Sequence, residues 1–235
     1  MIADAKVYLI PTFLHEQGIS ALPAYILEAV KECQVFFVEN ERSSRRYFKN
    51  LWKEIVIDQY EWFTIGKAEQ ETREEFRKKL LEGKIIGILS EAGCPGVADP
   101  GQLLVALAQQ EGVMIKPLVG PNAILLALMG SGMNGQQFQF VGYLPIEIGQ
   151  RAKMIKELEN ESARKKCTQI FIETPYRNNQ ILETILKTCK SSTRLCIASN
   201  LTGTDEYLRT KTVGEWKNNL PDLNKQPAVF CLFSP

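Results

Sequence analysis

Ile85-Ile86-Gly87-Ile88-Leu89-Ser90-Glu91-Ala92-Gly93-Cys94-Pro95-Gly96-Val97-Ala98-Asp99-Pro100-Gly101 decides the fold. Ile85 to Leu89 is an apolar run of strand length, too short for a buried helix. Ser90 to Pro100 is dense in Gly and Pro, and Gln102 to Glu111 then carries helical patterning until Gly112 stops it. Val113 to Val119 is apolar and β-prone again. Strand, loop, helix and strand in this order form a βαβ unit, which calls for a parallel sheet covered on both faces.

The same alternation extends toward the amino terminus. Val7 to Ile10 reads as a strand, and Ser20 offers an N-cap to a helix over Leu22 to Cys33. Val35 to Val38 is a second strand, Ser44 to Trp52 a helix, Ile55 to Ile57 a third strand, and a polar helix begins at Glu69. These elements predict a five-stranded parallel sheet in an α/β domain over residues 1–120. Residues 121–235 read differently. A short apolar helix, Ala123 to Met129, is followed by strands at Phe138 to Gly142, Gln169 to Glu173, Arg194 to Ser199, Tyr207 to Val213 and Ala228 to Phe233. The hairpin-length link Leu201 to Asp205 predicts a mixed sheet in this second α/β domain.

A 235-residue chain of 45% hydrophobic and 23% charged residues excludes disordered, collagenous and coiled-coil classes. With 28 Lys+Arg against 27 Asp+Glu there is no overall basic surplus, so contact with nucleic acid requires a local patch. The six cysteines form no CxxC pair and lie mostly in apolar runs, which predicts buried thiols in a reducing compartment and no structural metal. After one early Lys, only Val7 to Ile10 precede Pro11, too short for a signal h-region, and no later run reaches membrane-spanning length, so a cytoplasmic protein is expected. Gly130-Ser131-Gly132-Met133-Asn134-Gly135 matches GxGxxG, but a helix precedes it and a strand follows. That order is the reverse of a dinucleotide loop and reads as a connector between the domains. His15, the single histidine, reads as an exposed loop residue.

In open α/β sheets ligands bind beyond the carboxyl ends of the strands. Those positions hold Pro11-Thr12, Glu39-Asn40-Glu41-Arg42, the Ser90 to Gly101 loop and Gly120-Pro121-Asn122-Ala123, with Glu173-Thr174-Pro175-Tyr176-Arg177 and Ser199-Asn200-Leu201-Thr202 in the second domain. The Ser90 to Pro100 connection has eleven residues where two to six are usual, and its glycines let bare backbone approach a ligand. Each residue in it also has the simpler reading of shaping a surface turn.

These motifs, in this order, resemble the tetrapyrrole methylase-like S-adenosylmethionine-dependent methyltransferases, and within them the branch that methylates a ribose 2′-hydroxyl of 16S ribosomal RNA. The matching segments are Pro11-Thr12, Glu39-Asn40-Glu41-Arg42, Ser90-Glu91-Ala92-Gly93-Cys94-Pro95, Asp99-Pro100-Gly101, Val119-Gly120-Pro121-Asn122-Ala123 and Glu173-Thr174-Pro175-Tyr176-Arg177. The resemblance implies a homodimer of two-domain α/β chains with a ligand cleft between the domains, where S-adenosylmethionine is held by Pro11, Ser90, Glu91, Ala92, Gly93, Val97, Asp99, Pro121, Asn122 and Ala123. From the second domain it implies Phe171, Ile172, Glu173, Asn200 and Leu201. The chain departs from that branch at Phe13-Leu14-His15-Glu16, Glu91 and Asn200-Leu201-Thr202-Gly203. Ribosomal RNA of the small subunit is the acceptor the resemblance implies; a small tetrapyrrole-like acceptor and a cofactor- or RNA-binding protein without transfer activity are the alternatives.

Methyl transfer to a hydroxyl requires alignment and removal of a proton. Glu39, Glu91 and Asp99 are the carboxylates beyond strand ends, and Glu39, Arg42 and Glu91 are the expected catalytic group. Glu39 with Arg42 also reads as a structural ion pair and Asp99 as a helix N-cap. Arg45, Arg46, Lys49 and Lys53 follow Arg42 at spacings of 3, 4, 7 and 11, one helical face. Arg45, Arg46 and Lys49 are the expected substrate contacts, a solvated face being the other reading.

Overall fold

A computed structural model describes residues 4–66 and 69–235. The chain divides into two compact units, Met1–Asn122 and Ala123–Pro235.

The first unit runs β1 (Lys6–Leu9), α1 (Ile26–Glu32), β2 (Val35–Val38), α2 (Glu41–Leu51), β3 (Glu61–Thr64), α3 (Glu69–Leu81), β4 (Ile85–Leu89), α4 (Gln102–Gln110) and β5 (Met114–Pro117). Its sheet is wholly parallel, in the order β3-β2-β4-β1-β5. Moves toward β3 and moves back toward β5 put right-handed crossover helices on opposite faces. The packing agrees: Phe36, Val38, Tyr8 and Ile10 meet residues of α1 and α2, while Phe37, Val35, Ile86 and Ile88 meet residues of α3 and α4. Both faces are therefore buried, which is why the central strands β2 and β4 carry no polar side chain. Gly87 is the exception in size, because a Cβ there would come within 2.6 Å of the Phe36 ring and 2.8 Å of Ile10.

Four local expectations are corrected. The first helix begins at Ile26 behind Tyr25, not at Leu22 behind Ser20, because Pro23 forces Leu22 into extended backbone and leaves Ser20 in a separate 3-10 turn. Helix α2 begins at Glu41, three residues before the expected Ser44, since the Asn40 side chain caps the N–H groups of Arg42 and Ser43. It ends at Leu51, so Lys53 lies beyond it. The third strand is Glu61–Thr64; Ile55 is buried against the core from irregular backbone, and Ile57 opens a 3-10 turn. Trp62 and Phe63 hold that edge strand from its two faces, with ring centroids 5.0 Å from Phe36 and 4.9 Å from Phe37.

The second unit contains α5 (Ala123–Ser131), β6 (Phe138–Tyr143), α6 (Ile148–Lys165), β7 (Thr168–Glu173), α7 (Asn178–Thr188), β8 (Arg194–Ser199), β9 (Tyr207–Thr212), α8 (Val213–Trp216) and β10 (Ala228–Phe233). Its sheet is mixed, in the order β6-β7-β10-β8-β9, with β6 parallel to β7 and the other pairs antiparallel. Phe171, stacked on Phe230 at 5.6 Å, anchors a core with residues of α6, α7 and α8. The Gly130 to Gly135 segment lies inside this unit and joins α5 to β6, rather than linking two domains. All six cysteines are free thiols, five of them buried.

Candidate active site

In the first unit the connection leaving β2 runs toward β3 and the one leaving β4 runs toward β5. These strands are neighbours, so their carboxyl ends open a crevice at the point where chain direction reverses, the usual ligand position in an open α/β sheet. Glu39 and Asn40 line one side of it, Ser90 and Glu91 the other.

Backbone and side chains tie this region together. The Glu39 carboxylate accepts the Glu91 N–H at 2.9 Å. The Ser43 hydroxyl, one turn into α2, donates to Glu91 Oε1 at 3.3 Å. From β1, the Thr12 N–H donates to the Gly93 carbonyl at 2.8 Å, and the Tyr47 hydroxyl donates to the Pro11 carbonyl at 2.9 Å. The half-buried Cys94 thiol lies 3.5 Å from the Pro121 carbonyl, joining the β4 loop to the turn after β5. That turn needs Gly120, where a Cβ would fall 2.2 Å from Pro11 Cβ.

A cavity of about 230 Å³ is lined by Thr12, Phe13, Ser43, Ser44, Arg46, Tyr47, Ser90 and Glu91. A second, of about 260 Å³, lies along α2 between Asn40, Arg42, Ser43 and Arg46, and shares Ser43 and Arg46 with the first. Asp99 sits behind Ser90. Burial, then the Glu39 carboxylate, push its pKa up to about 6, with a smaller push from Glu91; a hydrogen bond with the Ser90 side chain acts in the opposite direction.

Several expected roles change. Among the described residues no ion pair joins Glu39 to Arg42; Glu39 holds backbone instead, and Arg42 is exposed on the second cavity. Asp99 does not cap α4, whose N-cap is Gly101 at φ 113°. Arg45 pairs with Glu41 at 2.5 Å and lies 5.4 Å from the Trp62 ring centroid, so it braces the helix against β3. Lys49 donates to the Ile55 carbonyl at 2.6 Å and is likewise tethered. His15 is half-buried rather than exposed, its Nδ1 facing the Gln17 N–H at 3.3 Å. Ser43 and Tyr47 are the site residues that sequence reasoning missed. Both lie on α2, and their signal was the Asn40 cap that begins the helix early enough to point them at the crevice.

In the second unit, Glu173, Ala228 and Ser199 form one row across β7, β10 and β8. The Glu173 carboxylate accepts from Arg177 Nη2 at 2.5 Å and from the Thr174 N–H at 2.7 Å. Its other oxygen, the Ser199 hydroxyl and the Thr202 hydroxyl are buried without a hydrogen-bond partner among the described residues. Asn200 takes left-handed backbone at φ 49° and donates to Asp205. The Phe171 ring is fully buried in the core, which leaves only its backbone for a ligand; Ile172 is half-buried and Leu201 is 7% exposed.

Solved methyltransferases share this architecture. The methyltransferase CobJ superposes with a TM-score of 0.63 over 98% of this chain and 93% of its own, at 15% identity. The uroporphyrin-III-C-methyltransferase of Thermus thermophilus does so with a TM-score of 0.56 over 97% of this chain and 92% of its own, also at 15% identity. The fold is thus that of the tetrapyrrole methyltransferases. No family model matches the chain. Ribosomal RNA small subunit methyltransferase I of Escherichia coli O157:H7 is 35% identical over 213 residues, covering 91% of this chain and 71% of that protein. The proteins of the same name from Micromonospora olivasterospora and Halalkalibacterium halodurans are 32% and 31% identical over 88% and 78% of this chain. The chain belongs to the ribosomal RNA small subunit methyltransferase I family. It spans 61% and 63% of the length of the Halalkalibacterium and Micromonospora relatives.

Proposed function

We propose that this protein is an S-adenosylmethionine-dependent methyltransferase acting on a ribose 2′-hydroxyl of small-subunit ribosomal RNA. The observation that carries the reading is the cavity whose one wall is Ser90 and Glu91, backed by Asp99 and Glu39, and whose other wall is Ser43 and Arg46. A ribose 2′-hydroxyl has a phosphodiester as its neighbour, so an acceptor of this kind presents a proton to be removed and a negative charge to be held within a few atoms of each other.

The residues present fit the cofactor. A positive sulfonium suits a crevice bordered by three carboxylates, and Gly93, at φ +74° with Leu14 and the Pro121 carbonyl beside it, keeps the loop backbone bare. Ser90, Glu91, Ala92, Gly93 and Pro121 would hold it from this unit. Bound S-adenosylmethionine supplies an electrophilic methyl group on a positively charged sulfur. Glu39 positions the loop by holding the Glu91 N–H. Asp99, with a pKa near 6, is ionised at neutral pH and is the carboxylate that takes the acceptor proton. Arg42 and Arg46 neutralise phosphate, and Arg45 and Lys49 keep α2 in place.

The same reading makes the protein a cytoplasmic homodimer. No helix among the described residues is long and apolar enough to cross a membrane, and among them no group of three or more His, Cys, Asp or Glu could hold a metal ion. The test is calorimetric titration with S-adenosylmethionine followed by labelled-methyl transfer to purified small ribosomal subunits and, separately, to a porphyrinogen. One-per-chain binding and label in RNA support the reading. Label in the porphyrinogen transfers the assignment to a small-molecule enzyme, and binding without transfer to either leaves a cofactor-binding protein.

A further inference from the structure

An exposed ion pair ties a cavity-lining arginine of α2 to the loop after β1. Arg46 Nη2 lies 2.5 Å from Glu16 Oε1, with the two side chains 61% and 67% exposed. Arg46 lines both cavities, and Glu16 comes from the loop after β1 while Arg46 comes from α2. Arg42, one turn earlier, makes no ion pair among the described residues and faces the second cavity with Ser43. The groove therefore has one free guanidinium and one held by a carboxylate from another segment.

An exposed pair of this kind contributes about 0 to 1 kcal/mol, so an incoming phosphate displaces it at little cost. A phosphodiester offers Arg46 the same charge and two acceptor oxygens, and it also reaches Arg42, which Glu16 does not. We infer that Arg42 and Arg46 form the phosphate grip for the acceptor strand, and that Glu16 occupies the Arg46 half of that grip and sets its affinity by competing with the phosphate. This rests on the reading of the acceptor as RNA.

The experiment compares wild type, Glu16→Gln, Arg46→Gln, Arg42→Gln and the Glu16→Gln/Arg46→Gln double variant. Binding of a fluorescent single-stranded oligoribonucleotide is measured by anisotropy over a salt series, with thermal melts to confirm folding. Glu16→Gln is expected to bind about two- to fivefold more tightly, the factor that the loss of a weak competing pair allows. Its salt dependence should steepen by up to about 0.7 in the logarithmic slope, the value of one additional phosphate contact on a single strand. Arg46→Gln and Arg42→Gln should bind more weakly, and the Glu16→Gln gain should vanish in the double variant. A neutral Glu16→Gln, a gain that survives without Arg46, or no binding by any form overturns the inference. Labelled-methyl transfer to small subunits by the same preparations separates the two claims: transfer with a neutral Glu16→Gln overturns the inference and leaves the enzymatic reading standing, and competition without transfer overturns only the enzymatic reading.

Discussion

The carboxylate of Glu39, at the end of β2, accepts the backbone N–H of Glu91, at the end of β4, at 2.9 Å. This bond closes the crevice between the two strands at which chain direction reverses, and it sets the course of the Ser90 to Gly93 loop. Because Glu91 is exposed, water replaces the carboxylate readily when it is removed. Glu39→Ala should therefore leave the melting temperature within a few degrees of wild type and weaken S-adenosylmethionine about tenfold, the loss of a charge-assisted hydrogen bond. Calorimetry beside a thermal melt tests this, and an unchanged affinity would remove Glu39 from the site.

Asp99 gives a pH prediction with a definite sign. Its folded-state pKa, about 6, lies above the ordinary 3.8, so the folded protein binds more protons than the unfolded chain between those values. Stability from this group is fully present below about pH 4 and is lost as pH rises through 6. Asp99→Asn should raise the melting temperature at pH 8 relative to wild type and give no advantage at pH 4. If Asp99 takes the acceptor proton, transfer should also rise with pH through about 6 to a plateau, and the variant should lose both the rise and most of the rate.

The turn after β5 depends on the absence of a side chain at Gly120. A methyl group there meets Pro11 Cβ at 2.2 Å, and both partners are backbone-constrained. Gly120→Ala should destabilise the protein by about 1–3 kcal/mol, the range for overpacking. Urea unfolding would show it as a lower midpoint at unchanged slope.

Arg45 and Arg42 should separate cleanly although they lie three residues apart. Arg45→Ala removes the Glu41 pair and the packing on Trp62. It should cost up to about 1 kcal/mol of stability and leave the salt dependence of RNA binding as it was. Arg42→Ala should do the reverse, flattening that salt dependence without a stability change.

Much of this was legible in the chain. Strands β7, β8 and β10 of the second sheet are legible because each centres on an apolar run, and the Ser90 to Gly101 loop because its length and glycines fit no ordinary connection. Ile55 reads as a strand residue because it is buried, yet it reaches the core from irregular backbone and the neighbouring Val56 is exposed, while the aromatic Trp62 and Phe63 pair with β2. The ion-pair reading of Glu39 with Arg42 fails for another reason. The partner of Glu39 is a main-chain N–H, which every residue but proline possesses, so nothing in the residue types distinguishes it from an ion pair with Arg42. The basic face of α2 was visible as spacing, but which arginine is free depends on Glu41, Trp62, Ile55 and Glu16, brought there by other segments.

The most direct test is to incubate the protein with methyl-labelled S-adenosylmethionine and small ribosomal subunits, digest the RNA to nucleosides and identify the labelled product. The expected product is a labelled 2′-O-methyl nucleoside, strongly reduced for Asp99→Asn. Label on a base, or no label from protein that binds the cofactor one-per-chain, would contradict it.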